Sequence, residues 1–287
     1  MQIIDARVRV PQAGRESSKY AAPERQTEQY DRVLDLSEKM NAGTLESLLE
    51  SMESQGISKA VMHAETEGNE DIDALNNSLF KILEQHSDKF LGVGAVDIYG
   101  GSPGTASIQV RDASDRGLVG VSMQPSFAGL DIDSRLLYPA YARAEELEMV
   151  VFLHTGINYS RMHPIRHERP ELLDQVACDF PNLKLVACHA GWPYAAEFCA
   201  VARRHPTVYL EFGGLAPKYV AKSGAGWDTV HSLMDNVLQR QVLFGSDWPV
   251  MDLERVVEEW NASGLSSETL SRLFGKNSAE LFALPIE

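Results

Sequence analysis

Cysteine is scarce in this chain, and positive charge is in deficit. Cys178, Cys188 and Cys199 fall in one stretch, with no metal-ligand spacing and an odd count, so they read as buried, reduced thiols and not as a disulfide framework. Against 41 acidic residues stand 26 basic ones, a formal charge of −15. Such a field repels nucleic-acid phosphates and anionic membrane surfaces alike. No apolar run reaches bilayer length, and Met1–Val10 runs straight into a strand pattern without a signal-peptide core. The expectation is a cytoplasmic protein acting on a small molecule. Walker loop, dinucleotide fingerprint and nucleophile elbow are all missing; Gly213-Gly-Leu is too short and lacks a lysine. There is no low-complexity tract, long linker or close repeat, so residues 1–287 read as one domain.

What is present is 44% hydrophobic residues arranged as short β-branched runs alternating with helical patterns. Strands are predicted at Gln2–Val10, Lys59–His63, Leu91–Asp97, Gly120–Met123, Met149–His154, Leu183–His189, Val208–Phe212 and Val242–Asp247. Amphipathic stretches lie between them at Thr44–Gln55, Asp71–Gln85, Ser134–Leu147, Arg169–Phe180, Pro193–His205, Trp227–Leu238 and Leu253–Ala262. Leu45, Leu48, Leu49 and Met52 carry the i, i+3, i+4, i+7 spacing of a helix with one buried face. Val150–Leu153 and Val242–Phe244 are continuous apolar runs, as parallel strands covered on both faces require. Periodicity therefore gives a parallel α/β chain and leaves two architectures open, a closed (β/α)8 TIM barrel and a doubly wound open sheet. The segment 14–39 fits no element and reads as a surface excursion after the first strand. Trp260, on the last long helix, is a candidate contact between copies in a homo-oligomer.

Function concentrates at the strand ends. The fifth strand ends in His154-Thr-Gly, the sixth in His189-Ala-Gly-Trp-Pro and the eighth in Asp247-Trp-Pro. Each places a polar side chain directly after apolar ones, and in a barrel these positions converge on one face. A lone histidine there is usually structural; three polar residues with the same placement indicate an active site. His63 ends the second strand and Gln124 follows the fourth, as candidate substrate contacts. The loop 158–168 carries Tyr159, Arg161, His163, Arg166 and His167, a mix suited to covering an anionic substrate. Trp192 and Trp248 are candidate pocket walls.

The chain resembles the "amidohydrolase 2" branch of the amidohydrolase superfamily. The matching text is Ile4-Asp-Ala-x-Val-x-Val10, Val151-Phe-Leu-His-Thr-Gly156, the run Asp179–Pro193 with its Cys-His-Ala-Gly-Trp-Pro, Arg204–Glu211, Leu243-Phe-Gly-Ser-Asp-Trp-Pro249 and Asn277–Phe282. The resemblance implies the closed barrel rather than the open sheet, and an enzyme acting on small carboxylated compounds as a lactonase, hydratase or decarboxylase. It also implies a divalent metal, usually zinc, held by two histidines of an Asp-x-His-x-His motif together with the residues matching His154 and Asp247.

This sequence departs from that pattern at the motif itself, which reads Asp5-Ala-Arg7-Val-Arg9. A guanidinium stays protonated and has no lone pair to donate. The expectation is therefore no bound metal, with zinc at His154 and Asp247 the lesser alternative. In this reading Arg7 and Arg9 clamp an anionic substrate or a developing oxyanion. Asp247 acts as general base, while His189 and His154 polarise the carbonyl or protonate the leaving group. Metal-independent hydrolysis of a carboxylated lactone or ester follows. The alternatives are a lyase-type reaction, or a catalytically dead binder in which Arg7 and Arg9 merely pair with Asp247 and Asp5.

Overall fold

The computed structural model describes residues 2–11, 24–66 and 71–285. Eight strands form: β1 Ile3–Arg9, β2 Ile57–His63, β3 Phe90–Ala95, β4 Gly120–Met123, β5 Val150–Leu153, β6 Lys184–Ala187, β7 Val208–Glu211 and β8 Val242–Leu243. They pair in parallel in sequence order. β8 returns to β1: Ala6 N donates to Phe244 O at 2.8 Å, Asp247 N to Arg7 O at 2.9 Å and Arg9 N to Trp248 O at 2.8 Å. The result is a (β/α)8 TIM barrel, with the open sheet excluded by this closure. Every residue of β5 is buried, as a strand between a filled barrel and a helical shell must be.

The shell begins with α1 Glu24–Leu34, α2 Leu36–Ala42 and α3 Leu45–Ser54, and continues with α4 Ile72–Gln85, α5 Pro103–Asp115, α6 Tyr138–Glu146, α7 Pro170–Asp179 and α8 Ala195–Arg204. After β7 come α9 Pro217–Val220 and α10 Asp228–Met234, and after β8 come α11 Leu253–Asn261, α12 Ser267–Ser271 and α13 Asn277–Leu281. Local chemistry sets the boundaries. Thr44 and Ser47 form a reciprocal capping box at the start of α3, which satisfies two otherwise orphaned groups. Inside the barrel, Ala6, Val61, Val93, Phe152, Val186 and Leu243 make one core that Leu281 and Phe282 join. A larger core fills the space between strands and helices. Among the described residues no helix is long and apolar enough to cross a membrane.

Several expectations are corrected. The excursion 14–39 holds α1 and most of α2; residues 12–23 lie outside the described residues. Its Arg, Glu and Gln are good helix formers, and Tyr30, Leu34, Leu36 and Met40 pack a narrow stripe on the core that the charges hide. Helix α5 was not expected, because its buried face is only Ala106, Val110 and Ala113. Its start is nevertheless written in the sequence as an Ser102 N-cap followed by Pro103, a pairing that favours the first helical turn. Cys178 is exposed, unlike Cys188 and Cys199. Trp260 marks no surface contact: it is 1% exposed and lies edge-on to Phe212 at 5.5 Å.

Candidate active site

The carboxyl ends of the strands converge as the sequence implies, yet the side chains divide into two groups. The first group is locked in ion pairs and hydrogen bonds, with Arg7 sealed beneath the rest. β1 shifts register between Asp5 and Val8, an irregularity of the kind that redirects side chains near functional sites. Arg7, 1% exposed, puts its fork on Glu65, with Nε to Oε1 at 2.9 Å and Nη2 to Oε2 at 2.8 Å. Its Nη1 lies 3.0 Å from His189 Nε2 and 3.5 Å from Glu211 Oε2. Its Nε is 3.6 Å from Asp247 Oδ1. One guanidinium thus faces three carboxyl groups from β2, β7 and β8. Arg9 donates from Nε to Asp247 Oδ1 at 2.9 Å, with Nη2 3.7 Å from Glu65 Oε2.

His189 and Asp247 both adopt left-handed backbone conformations, each with φ of 58°, which few non-glycine residues occupy and which cluster at functional sites. The loop after β7 fits around them. His189 Nδ1 sits 2.6 Å from Gly213 O; a carbonyl only accepts, so Nδ1 carries the hydrogen and Nε2 accepts from Arg7. Gly214 has φ of 71°, and a Cβ there would lie 3.0 Å from His189 Nδ1 and 3.3 Å from Asp247 Oδ2. Glu211 accepts from the backbone N–H of Gly213 and, at 3.4 Å, from that of His189, tying both loops together.

The second group opens outwards. His154 Nδ1 lies 2.5 Å from Glu168 Oε1, and Ser126 Oγ donates to the same oxygen. Glu168 is fully buried. This pairing leaves Nε2 of His154 as the ring atom available to the cavity, since His154 lines it. The cavity, about 590 Å³ with its open mouth, is walled by Arg9, Phe127, His154, Tyr159, His189 and Asp247, with Tyr30, Leu34 and Leu36 reaching in from α1 and α2.

Burial and charge explain the proton affinities. Burial opposes the Glu65 charge, but Arg7, His63 and Arg9 outweigh it and hold this carboxyl well below its usual range. Burial likewise opposes the Arg7 charge, and Asp247 and Glu65 more than restore it. Glu211 goes the other way: burial pushes it up to about 8 despite Arg7. Burial raises Asp5 to about 7, against hydrogen bonds from Ser246 and Arg7. One edge of the His189 ring reaches the cavity, yet crowding by protein, then Arg7 and His154, keeps its pKa well below the usual value. His189 is therefore neutral at ordinary pH.

The sequence-predicted residues fall on both sides of this division. His154, His189, Asp247, Arg9, Tyr159 and Trp192 line the cavity; Arg7 does not, being sealed beneath it. His63 is fully buried, donating from Nε2 to Ala6 O at 3.0 Å, with Nδ1 3.4 Å from Glu65. Gln124 is buried away from the lining with both amide atoms unpaired. Arg161 is on the surface, paired to Glu28 at 3.0 Å. The pairing of Arg7 and Arg9 with Asp5 and Asp247 is half realised: Arg9 takes Asp247, while the Arg7 guanidinium takes Glu65 and Asp5 accepts from the backbone N–H groups of Arg7 and Ser246.

A family model described as Amidohydrolase matches residues 4–284. The chain belongs to the amidohydrolase family. With the barrel above, it is a TIM-barrel enzyme of that superfamily. An uncharacterized TIM-barrel protein from Bordetella bronchiseptica superposes with a TM-score of 0.79 at 25% identity, over 99% of each chain. A 2,6-dihydroxybenzoate decarboxylase from Rhizobium gives 0.71 at 15%, also over 99% of each. A probable 2-pyrone-4,6-dicarboxylic acid hydrolase from Acinetobacter baumannii, solved with citric acid bound, gives 0.65 at 15%, over 99% of this chain and 100% of that one. At such identities the last two show a shared barrel.

Sequence reasoning missed three of this amidohydrolase's site carboxyls: Glu65, Glu168 and Glu211. The first had a signal. Two arginines at buried strand positions require buried carboxylates, and Glu65 lies two residues beyond the end of β2. Among the described residues, the set of His, Cys, Asp and Glu side chains whose ligand atoms converge is Asp174, Cys178 and His205, on α7 and after α8. His154, His189 and Asp247 do not form such a set.

Proposed function

We propose that this amidohydrolase hydrolyses small carboxylated lactones or esters without a metal ion. The observation that carries the reading is a proton acceptor and a fixed positive charge on one cavity: His154, backed by Glu168 at 2.5 Å, and the guanidinium of Arg9. A divalent ion does not fit the residues present. Arg7 brings a permanent charge among the very carboxyls that would attract one, and both ring nitrogens of His189 are engaged.

Roles follow from the contacts. Asp247, the general base of the sequence reading, has its Oδ1 held by Arg9 and close to Arg7, so its lone pairs serve the ion pair. His154 is the better proton acceptor, because Glu168 fixes its Nδ1–H tautomer and stabilises the imidazolium once formed. Water attacking the carbonyl gives its proton to His154 Nε2 as the new C–O bond forms. Arg9 stabilises the oxyanion, and His154 returns the proton to the departing alkoxide as the ester C–O bond breaks. An ester gives a carboxylic acid and an alcohol, and a lactone gives a single hydroxy acid. Arg7 beneath the cavity and His189 at its lining, hydrogen-bonded to each other, set the field without leaving their partners.

The test is turnover of a panel of carboxylated lactones and monoesters by chelator-treated protein, followed as acid release. Activity is expected to survive the chelator and to fall about 10²–10⁴-fold in His154→Gln, with the unfolding midpoint held within a few degrees. Activity that appears only on adding a divalent ion, or release of carbon dioxide in place of acid, overturns the reading.

A further inference from the structure

The cavity does not end at its polar wall. Leu34, Tyr159, Trp192, Gly214 and Leu215 line it and also line a second depression of about 1120 Å³, counted with its open mouth. The two adjoin along these five residues. Beyond the shared residues, the outer groove is bounded by Val33, Ala216, Tyr219, Val220, Trp227 and Met251. Its character is aromatic, with Tyr159, Trp192, Tyr219 and Trp227 from four different loops and helices. Arg255 is the charged side chain at its rim, and it is held by Glu259 at 2.8 Å.

Two of the large apolar side chains that remain exposed stand at this groove: Val33 at 46% and Tyr219 at 54%. Exposed apolar groups scattered singly need no explanation, but a cluster bordering a polar cavity marks a binding surface. Ligand sites of this kind combine a few convergent polar groups with apolar and aromatic walls.

We infer that the outer groove is a substrate subsite for an aryl group. The substrate is then amphipathic, with a carboxylate-bearing ester or lactone head at Arg9, His154 and Asp247 and an aromatic body along Tyr159, Trp192 and Tyr219. Aromatic walls favour an aryl occupant, since offset and edge contacts between rings add to area burial. This inference rests on the hydrolase reading for its head group and on the groove alone for its tail.

The test compares methyl and 2-naphthylmethyl monoesters of succinic acid, both of which release an alkoxide, on the parent protein and on the double variant Val33→Ser/Tyr219→Ser. The naphthyl ester is expected to show about tenfold higher kcat/KM than the methyl ester in the parent, in keeping with the apolar area buried. In the double variant that ratio falls about fivefold or more through KM, as loss of uniform binding does. Binding of the corresponding amides, N-(2-naphthylmethyl)succinamic and N-methylsuccinamic acid, is measured by calorimetry in parallel. If no ester turns over while the naphthyl amide binds about tenfold tighter than the methyl amide, and loses that margin in the double variant, the subsite stands and the hydrolase reading falls. Equal kcat/KM for the two esters, or a naphthyl preference that survives both substitutions, overturns the subsite.

Discussion

His154 and His189 end neighbouring strands, their rings 4.9 Å apart, and the sequence gives them the same description. Their surroundings make them opposites. His189 belongs to a floor in which every charge has its partner: Arg7 with Glu65, Arg9 with Asp247, and the His189 ring between Arg7 and a carbonyl. His154 belongs to a wall with one nitrogen anchored by Glu168 and the other facing the cavity. The difference lies in where the second ring nitrogen goes. One histidine is spent on holding a charge in place; the other keeps a lone pair on the cavity, which the proposed hydrolysis uses. Placement at a strand end therefore brings the two rings to one neighbourhood, and hydrogen-bond partners distinguish them there.

The contrast can be broken from the floor. Glu65→Gln leaves the Arg7 guanidinium buried without its fork partner. A loss of about 3–5 kcal/mol is expected in denaturant unfolding, the usual cost of stranding a buried charge. The double substitution Arg7→Met/Glu65→Leu is expected to lose much less than the sum of its singles. Equal losses would mean that the pair is not the unit described here. The loop after β7, which packs on this floor, is more lightly built. Gly214→Ala forces a side chain into a left-handed conformation and against His189 and Asp247; about 1 kcal/mol of stability is expected to go, with activity falling further than stability alone explains. Unchanged activity would separate the loop from the site.

The smallest effect sharpens the electrostatics. Glu211 has its ordinary value of 4.5 raised to about 8 in the fold, so between those values the folded chain binds more protons than the unfolded one. Its contribution to stability is complete below about 4.5 and fades as pH rises through about 8. Glu211→Gln does not titrate. Its unfolding midpoint, measured against the parent from about pH 5 to about pH 8, should drift steadily in the variant's favour. A constant offset would show that Glu211 is ionised throughout.

Much of this was legible in advance. Each of the eight observed strands falls on a predicted one, because short β-branched runs between amphipathic stretches leave little choice. His154, His189 and Asp247 were recognisable from a polar residue following an apolar run. What sequence did not reveal was partnership. Glu168 is remote from His154 along the chain, in a loop whose path no periodicity encodes, and Glu211 looks like any acid at a strand end. Arg7 read as a substrate clamp because alternation along β1 gives its side, while the register shift between Asp5 and Val8, which composition does not record, accompanies its turn towards Glu65. Helix α5 escaped for a plainer reason: an alanine-rich face buries well without looking hydrophobic.

Arg7 has a consequence for how this protein can change. A bound ion can be exchanged or lost and later regained, leaving its ligands intact. A cation attached to the chain cannot. Replacing Arg7 alone would leave Glu65, Glu211 and Asp247 gathered around a space with Arg9 as their remaining cation, and replacing any of those three alone would unbalance the guanidinium. Each position holds the others to their present identities. The floor of this barrel therefore behaves as a ratchet: routes to a pair of histidines on β1 would pass through single substitutions that the fold resists.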